Sequence, residues 1–382
     1  MKVFLIAGEP SGDRLGVALM EGLRTLAPEV AFEGVAGPAM QGAGMDSLFP
    51  MADLSVMGLA EVLPNYRRLK RRIAEAAAAV LAASPAALVT IDSPDFCLRV
   101  ARIVKAARPD LPTIHYVAPS VWAWRPGRAA RMARVIDHVL ALLPFEPPWM
   151  TAAGMTCDFV GHPVVAERLA TPREADALRG TSPLILALPG SRRGEVTRLA
   201  PVIAQTLTLL KVRFPGLRVV LPTVPAVAPL VRGLVRDWPV RPEIIETAER
   251  KRAAFAAADA AVAASGTVSL ELAANACPMV IAYDMHPVTM WAMQRMRRVD
   301  TVTLVNLVSE TRTVPEFIGR ECRAARIAPA LARLLTDPVA MAAQREAMAL
   351  TMDRLGRGGE APGLRAARSV LSALDRPPPP GG

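Results

Sequence analysis

The chain has 382 residues, 52% of them hydrophobic, more than one core usually serves, and this predicts two globular domains. Lys and Arg number 45 against 35 Asp and Glu, a formal charge of +10 that favours anionic partners such as nucleotides, phosphosugars, acidic lipids or nucleic acid. Most of these cations are Arg in an Ala-rich chain, which coding bias also produces, so charge alone assigns no function. Cys97, Cys157, Cys277 and Cys322 form no CxxC pair and the histidines do not cluster near them, which argues against zinc or a disulfide framework and fits a reducing cytoplasm.

The opening MKVFLIAGEP has an apolar run too short for a signal peptide and reads as a first β-strand. Every longer Ala/Leu-rich stretch is broken by charge or Pro before the roughly 18 apolar residues needed to span a bilayer. Short apolar runs then alternate with helical stretches: Val3–Ala7, Ala87–Ile91, Thr113–Val117 and His138–Leu143, then Leu184–Leu188, Leu217–Leu221, Ala260–Ala263 and Met279–Ala282. This βαβ rhythm predicts an α/β fold with parallel sheets. Gly161 to Pro183 changes texture and reads as a linker. After about Ala324 the strand signal ends, three Arg/Ala/Leu helices follow to about Leu374, and a Pro/Gly tail is expected to be disordered.

In open parallel sheets the working residues gather beyond the carboxyl ends of the strands. After Val3–Ala7 comes Gly8-Glu9-Pro10-Ser11-Gly12-Asp13, a small-residue turn opening a helix that could hold an anion or a sugar hydroxyl, or serve only as a turn. It is not GxGxxG and lacks the acidic partner of a dinucleotide site, which argues against nicotinamide. After Ala87–Ile91 come Asp92-Ser93-Pro94-Asp95-Phe96, two carboxylates suited to general-base work, one of which could merely cap a helix. Thr113–Val117 runs into Ala118-Pro119-Ser120-Val121-Trp122-Ala123-Trp124-Arg125, whose flat rings suit sugar faces as well as plain packing. Glu146 of Leu143-Pro144-Phe145-Glu146 could accept from sugar hydroxyls or be an exposed loop acid.

In the second half, Pro189-Gly190-Ser191-Arg192-Arg193-Gly194-Glu195 combines a glycine turn, two guanidinium groups and a helix N-terminus, equipment suited to a diphosphate. Ala264-Ser265-Gly266-Thr267-Val268-Ser269-Leu270-Glu271 opens another helix, with Glu271 near a ribose or in a capping box. No DxD motif occurs, so cationic support is expected from Arg and helix N-termini, with no metal and no cofactor.

The ordered set GEPSGD, AGP, VMGLAEVL, IDSPDF, IHYVAPSVWAWR, LLPFE, VGHP, LPGSR and ASGTVSLE, over residues 3 to about 320, resembles the lipid A disaccharide synthase family. The resemblance implies a GT-B fold, two Rossmann-like domains with parallel sheets facing across a cleft and C-terminal helices crossing back. The expected bounds are an acceptor-binding domain at 1–165, a UDP-donor domain at 166–350, a returning helix at 351–374, swapped in some dimers, and the tail at 375–382. The implied reaction joins UDP-2,3-diacylglucosamine to 2,3-diacylglucosamine 1-phosphate (lipid X) through an inverting β-1,6 linkage, within lipid A and lipopolysaccharide biosynthesis.

By that resemblance Asp92 matches the catalytic base and Arg192 the arginine supporting the donor diphosphate, and it adds Asn306 to the donor group of Gly190, Ser191, Ser265, Gly266, Thr267 and Glu271. Gly8, Glu9, Ser11, Gly12, Asp13, Asp95, Ser120, Trp122, Trp124, Glu146 and His162 form the acceptor group. His162 of the GHP motif is a second base candidate or a satisfied structural histidine. The chain departs from the family pattern at Ala166, Asp284 and Val305, and an Arg missing at Asp284 would leave Arg192, Arg193 and nearby Arg295, Arg297 or Arg298 to cover the charge.

Acylated substrates require docking at the inner face of the cytoplasmic membrane. Val56, Met57, Leu59, Val62 and Leu63 beside Arg67, Arg68, Lys70, Arg71 and Arg72 could provide it. The same stretch reads equally as a core helix through Leu69, Ile73, Ala77 and Val80, and Met290-Trp291 to Arg298 shares the ambiguity. The alternatives are another GT-B UDP-sugar enzyme, such as a UDP-N-acetylglucosamine 2-epimerase, and a non-catalytic basic protein that binds membrane or nucleic acid.

Overall fold

A computed structural model describes residues 1–54, 59–125, 127–285, 290, 295–296 and 298–375, without the side chains of 59–66. Val56, Met57, Trp291, Arg297 and the tail beyond Asp375 lie outside the described residues, as do the side chains of Leu59, Val62 and Leu63.

Twelve described strands form two six-stranded sheets. The first contains β1 (Lys2–Ala7), β2 (Ala31–Val35), β3 (Ala87–Ile91), β4 (Thr113–Tyr116), β5 (His138–Ala141) and β6 (Thr156–Phe159), all parallel, in the order β2-β1-β3-β4-β5-β6. The second contains β7 (Leu184–Leu188), β8 (Arg218–Pro222), β9 (Glu243–Ile245), β10 (Ala260–Ala263), β11 (Met279–Tyr283) and β12 (Glu316–Ile318), also parallel, in the order β12-β11-β10-β7-β8-β9. The apolar runs of the sequence are the eight interior strands, shifted by a residue or two at their ends. The four strands without such a run, β2, β6, β9 and β12, are the four sheet edges. An edge strand is covered less and pairs once, so it carries polar residues, as in the EII of β9 and the TCDF of β6.

In each sheet the order reverses at one place, between β1 and β3 and between β7 and β10. Loops leaving the carboxyl ends of those strand pairs diverge to opposite sides and leave a crevice, the usual ligand position in such sheets. Helices cover both faces of the first sheet. Ile73, Val80, Val100 and Val104 fill one side, and Leu15, Leu19, Leu23, Ala366, Ala367 and Val370 fill the other. In the second sheet, Val196, Leu199, Ile203 and Leu207 of the helix Arg193–Arg213 share a core with Ile327 and Leu331 of the helix Ala324–Thr336.

The chain divides into one unit of Met1–Ala166 plus the segment from Gly358 onward, and a second of Glu167–Arg357. The expected return at residue 351 is corrected to 358. The helix Pro338–Arg354 runs through that point, with Met348, Thr351 and Met352 buried and Arg354 donating to Val308 O at 2.6 Å. The last helix, Pro362–Leu374, packs on the helix Pro10–Leu26 within the first unit. Gly363 permits the approach, since a Cβ there would sit 2.5 Å from Ala18 O. Ser369 Oγ donates to Asp158 Oδ2 at 2.6 Å, and that use of its hydrogen makes it the acceptor for His138 Nε2 at 2.7 Å. Arg365 donates to Phe159 O at 2.6 Å, so the last helix is also tied to the edge strand β6.

Candidate active site

At the first reversal the turns after β1 and β3 interlock. Ala7 pairs with Ile91, which sets Gly8 beside Asp92 and Ser93. A Cβ on Gly8 would overlap the Ser93 side chain, and one on Gly12 would lie 3.0 Å from Ile91 O, so both glycines are demanded by close approach. Asp92 is half-buried. Its Oδ1 accepts from Ser93 N at 2.9 Å and its Oδ2 from Ser11 Oγ at 3.1 Å. Asp92 and Ser93 have φ of +56° and +44°, a left-handed conformation costing roughly 1–2 kcal/mol per non-glycine residue. Val117 after β4, with φ of +86°, is a rarer outlier because it is β-branched. Strain gathered at the carboxyl ends of β3 and β4 marks a place where geometry serves something besides stability.

Trp122 and Trp124 stand half-buried on the loop after β4. The Trp122 indole donates to Glu146 Oε1 at 3.2 Å and meets Phe145 edge-on at 5.0 Å, while Arg125 stacks over Trp124 at 4.6 Å. Glu146 is 3% exposed, which corrects both the loop-acid and the sugar-contact readings. Its Oε2 already accepts from Leu142 N and Leu143 N at 3.2 and 3.0 Å. Burial raises its pKa to about 7. Its task is to hold Trp122. Ser120 is exposed and its carbonyl accepts from Ala123 N and Trp124 N, which shapes the same loop.

Two further acceptor-group residues, Asp13 and His162, are reassigned. Asp13 is buried, with both oxygens accepting from Gly37, Ala39 and Met40 N–H groups at 2.8–3.0 Å. It therefore caps the short helix Pro38–Gly42 and is not free for sugar. His162 is also buried, its Nδ1 accepts from Val164 N at 3.2 Å, and burial lowers its pKa to about 4, so it is a neutral structural histidine. Asp95 is exposed in the first turn of the helix Pro94–Ala107, where its charge complements the helix dipole, and Ser93 occupies the N-cap. Glu9 is the half-buried N-cap of the helix Pro10–Leu26.

The second unit repeats the arrangement at its own reversal, after β7 and β10. The helix Arg193–Arg213 begins with Arg192 at its N-cap and no side-chain cap bond. Arg192 is 66% exposed and leans on Glu195 at 3.4 Å, while Ser191 N donates to Glu195 Oε2. An exposed guanidinium above an uncapped helix N-terminus is an anion-binding arrangement. Gly190 and Gly266 have φ of +110° and +144°. Thr267 is the N-cap of the helix Val268–Ala274 without a side-chain bond, and Ser269, not Ser265, bonds Gly266 O. Glu271 pairs with Lys251 at 2.5 Å, so the capping-box reading is set aside. Asn306 is corrected: it is buried, its Nδ2 donates to Val314 O and Thr301 Oγ1, and its Oδ1 accepts from Val314 N. Tyr283, at the end of β11, was not singled out from sequence; burial raises its pKa, with Glu195 adding to the effect and Arg192 opposing it.

A family model described as lipid-A-disaccharide synthetase matches residues 3–361. The lipid-A-disaccharide synthase of Ruegeria pomeroyi is 62% identical, covering 98% of this chain and 96% of that one. The chain belongs to the lipid-A-disaccharide synthase family. A second member, from Rhodospirillum centenum, is 48% identical over 98% of this chain and 95% of its own. Members of this family are glycosyltransferases of lipid A biosynthesis. Among solved structures, the UDP-GlcNAc 2-epimerase of Neisseria meningitidis bound to UDP-GlcNAc aligns with a TM-score of 0.67 at 14% identity, covering 98% and 100% of the two chains. MurG of Acinetobacter baumannii aligns with a TM-score of 0.56 at 13% identity, covering 98% and 99%. These two share the GT-B-like fold, and only the fold is read from them.

Against the family pattern, Asp284 accepts from Met285 N at 2.9 Å, and Val305 is fully buried in the helix Leu304–Ser309. Ala166 ends the first stretch of the first unit. Among the described residues no group of three or more His, Cys, Asp or Glu is arranged for a metal ion, and no helix is long and apolar enough to cross a membrane. On the helix Leu59–Ala83, Ile73, Ala77 and Val80 face the core, while Arg67, Arg68, Lys70 and Arg71 are exposed. Arg72 leaves the docking group: it donates to Asp53 and Glu75 and stacks 4.5 Å over Phe49.

Proposed function

We propose that this chain joins UDP-2,3-diacylglucosamine to 2,3-diacylglucosamine 1-phosphate (lipid X) through a β-1,6 bond, releasing UDP. The observation that carries the reading is the Asp92 carboxylate, half-exposed and held by two donors at the crevice between β1 and β3. The 6-hydroxyl oxygen of the acceptor attacks the anomeric carbon as Asp92 takes its proton. The bond from that carbon to the diphosphate breaks, UDP departs with the electron pair, and the anomeric configuration inverts. Arg192 and the N-terminus of the helix Arg193–Arg213 receive the charge that builds on the leaving diphosphate. Supplied by these cationic groups, the reaction needs no metal and no cofactor. Trp122 and Trp124 offer ring faces to the acceptor.

Both substrates are acylated, so the enzyme works on the inner face of the cytoplasmic membrane. The exposed Arg67, Lys70 and Arg71 support binding to anionic headgroups at about 1 kcal/mol per cation, whereas Arg68, also exposed, lies 3.7 Å from Asp53. The family resemblance alone supports a homodimer. The test is incubation of the purified protein with both substrates in detergent and EDTA, following disaccharide and UDP. A β-1,6-linked disaccharide phosphate formed equally well with EDTA supports the reading. Epimerised or merely hydrolysed UDP-sugar contradicts the reaction, and activity that returns only with added Mg2+ contradicts the metal independence.

A further inference from the structure

We propose that Ser11 is a positioning residue for Asp92, fixing the orientation of the carboxylate that removes the acceptor proton. This rests on Asp92 acting as the base. Ser11 Oγ reaches Asp92 Oδ2 at 3.1 Å from 81 residues away in sequence, so the contact exists only because the turns after β1 and β3 interlock. Ser11 sits in the first turn of the helix Pro10–Leu26, whose approach to β3 depends on Gly12, and the Gly8 position admits Ser93. Both partners of the hydroxyl bond are thus anchored on rigid elements.

The physical need is specific. The terminal torsion of an aspartate is broad, so one donor on one oxygen leaves the carboxylate free to swing. Ser93 N holds Oδ1 from within the same turn, and Ser11 holds Oδ2 from the other motif. With one donor on each oxygen the carboxylate plane is set, and the remaining Oδ2 lone pair is left to the acceptor hydroxyl. Ser11 is exposed, so its loss leaves the core untouched.

The experiment compares steady-state kinetics of the full-length wild type with Ser11→Ala, Ser11→Cys and Ser11→Thr, using UDP-2,3-diacylglucosamine and lipid X in detergent. Expected for Ser11→Ala is a kcat lower by about tenfold, the worth of one hydrogen bond to a charged group, with KM for lipid X nearly unchanged. Ser11→Cys, a poor donor of similar size, behaves like Ser11→Ala, and Ser11→Thr restores the rate. A rise in KM for lipid X with kcat unchanged overturns the proposal and makes Ser11 a substrate contact. Wild-type kinetics in Ser11→Ala also overturn it. Should Asp92→Asn keep most of the wild-type kcat in the same assay, the base assignment itself has failed, a result separable from either outcome at Ser11.

Discussion

Glu146 has both oxygens occupied, one by the Trp122 indole and one by two backbone N–H groups, and burial raises its pKa to about 7. Unfolded, the same carboxyl titrates near its ordinary 4.5. Between those values the folded chain binds more protons, so its contribution makes stability fall as pH rises from about 4.5 to about 7. Glu146→Gln stays neutral, and its stability relative to wild type should climb across that window by about 1–3 kcal/mol. Urea unfolding of both proteins at several pH values checks this, and a flat difference would refute it. The variant comparison matters because His162 and His115, held neutral by burial with pKa values lowered to about 4 and about 3, contribute the opposite slope. Their share of stability is complete above the ordinary 6.5 and is lost as pH falls toward those lowered values. None of this was legible in the chain itself. A Glu after LPF and a His after VG look alike whether exposed or buried, and only the closed sheet decides.

Among the elements, Asp13 and Asp92 show how topology sorts residues that sequence leaves equivalent. Both follow strands in small-residue turns, yet β2 lies next to β1 and delivers the helix Pro38–Gly42 onto the Asp13 carboxylate. Asp13→Ala would strand three backbone N–H groups and should cost about 2–4 kcal/mol in urea unfolding at pH 7, with activity of the folded fraction preserved. Unchanged stability with lost activity would return Asp13 to the substrate. The interior strands were legible because both faces are buried and their residues read as continuous apolar runs. The edges β2, β6, β9 and β12 were not, because a strand such as AFEGV, half exposed and carrying Glu33 and Gly34, has no run to detect. The helix Leu59–Ala83 bears out its core reading, with Ile73, Ala77 and Val80 inward and Arg67, Lys70 and Arg71 outward. Arg72 is the exception, since its tie to Asp53 depends on a turn 19 residues earlier.

Across the whole molecule, the two reversals of strand order collect the residues that the sequence had scattered. Gly8 to Asp13 and Asp92 meet at one, and Gly190 to Arg192 and Ser265 to Thr267 flank the other. The ordered motifs made the family legible, whereas the left-handed pair at Asp92 and Ser93, the seat of Ser11 on the carboxylate and the burial of Asn306 needed the folded chain. The return of the last helix to the first unit was legible in outline, but its start was not. The cue lies in Met348, Thr351 and Met352, whose burial belongs to the second unit. The central claim is that this fold carries a glycosyl transfer driven by Asp92. Its most direct test is single-turnover formation of the disaccharide phosphate by wild type and Asp92→Asn, both checked for native unfolding behaviour. The account predicts a rate lower by about 10²–10⁴-fold in the variant, the worth of a general base, with UDP-sugar binding unchanged. A folded Asp92→Asn that makes disaccharide at near wild-type rate would contradict it.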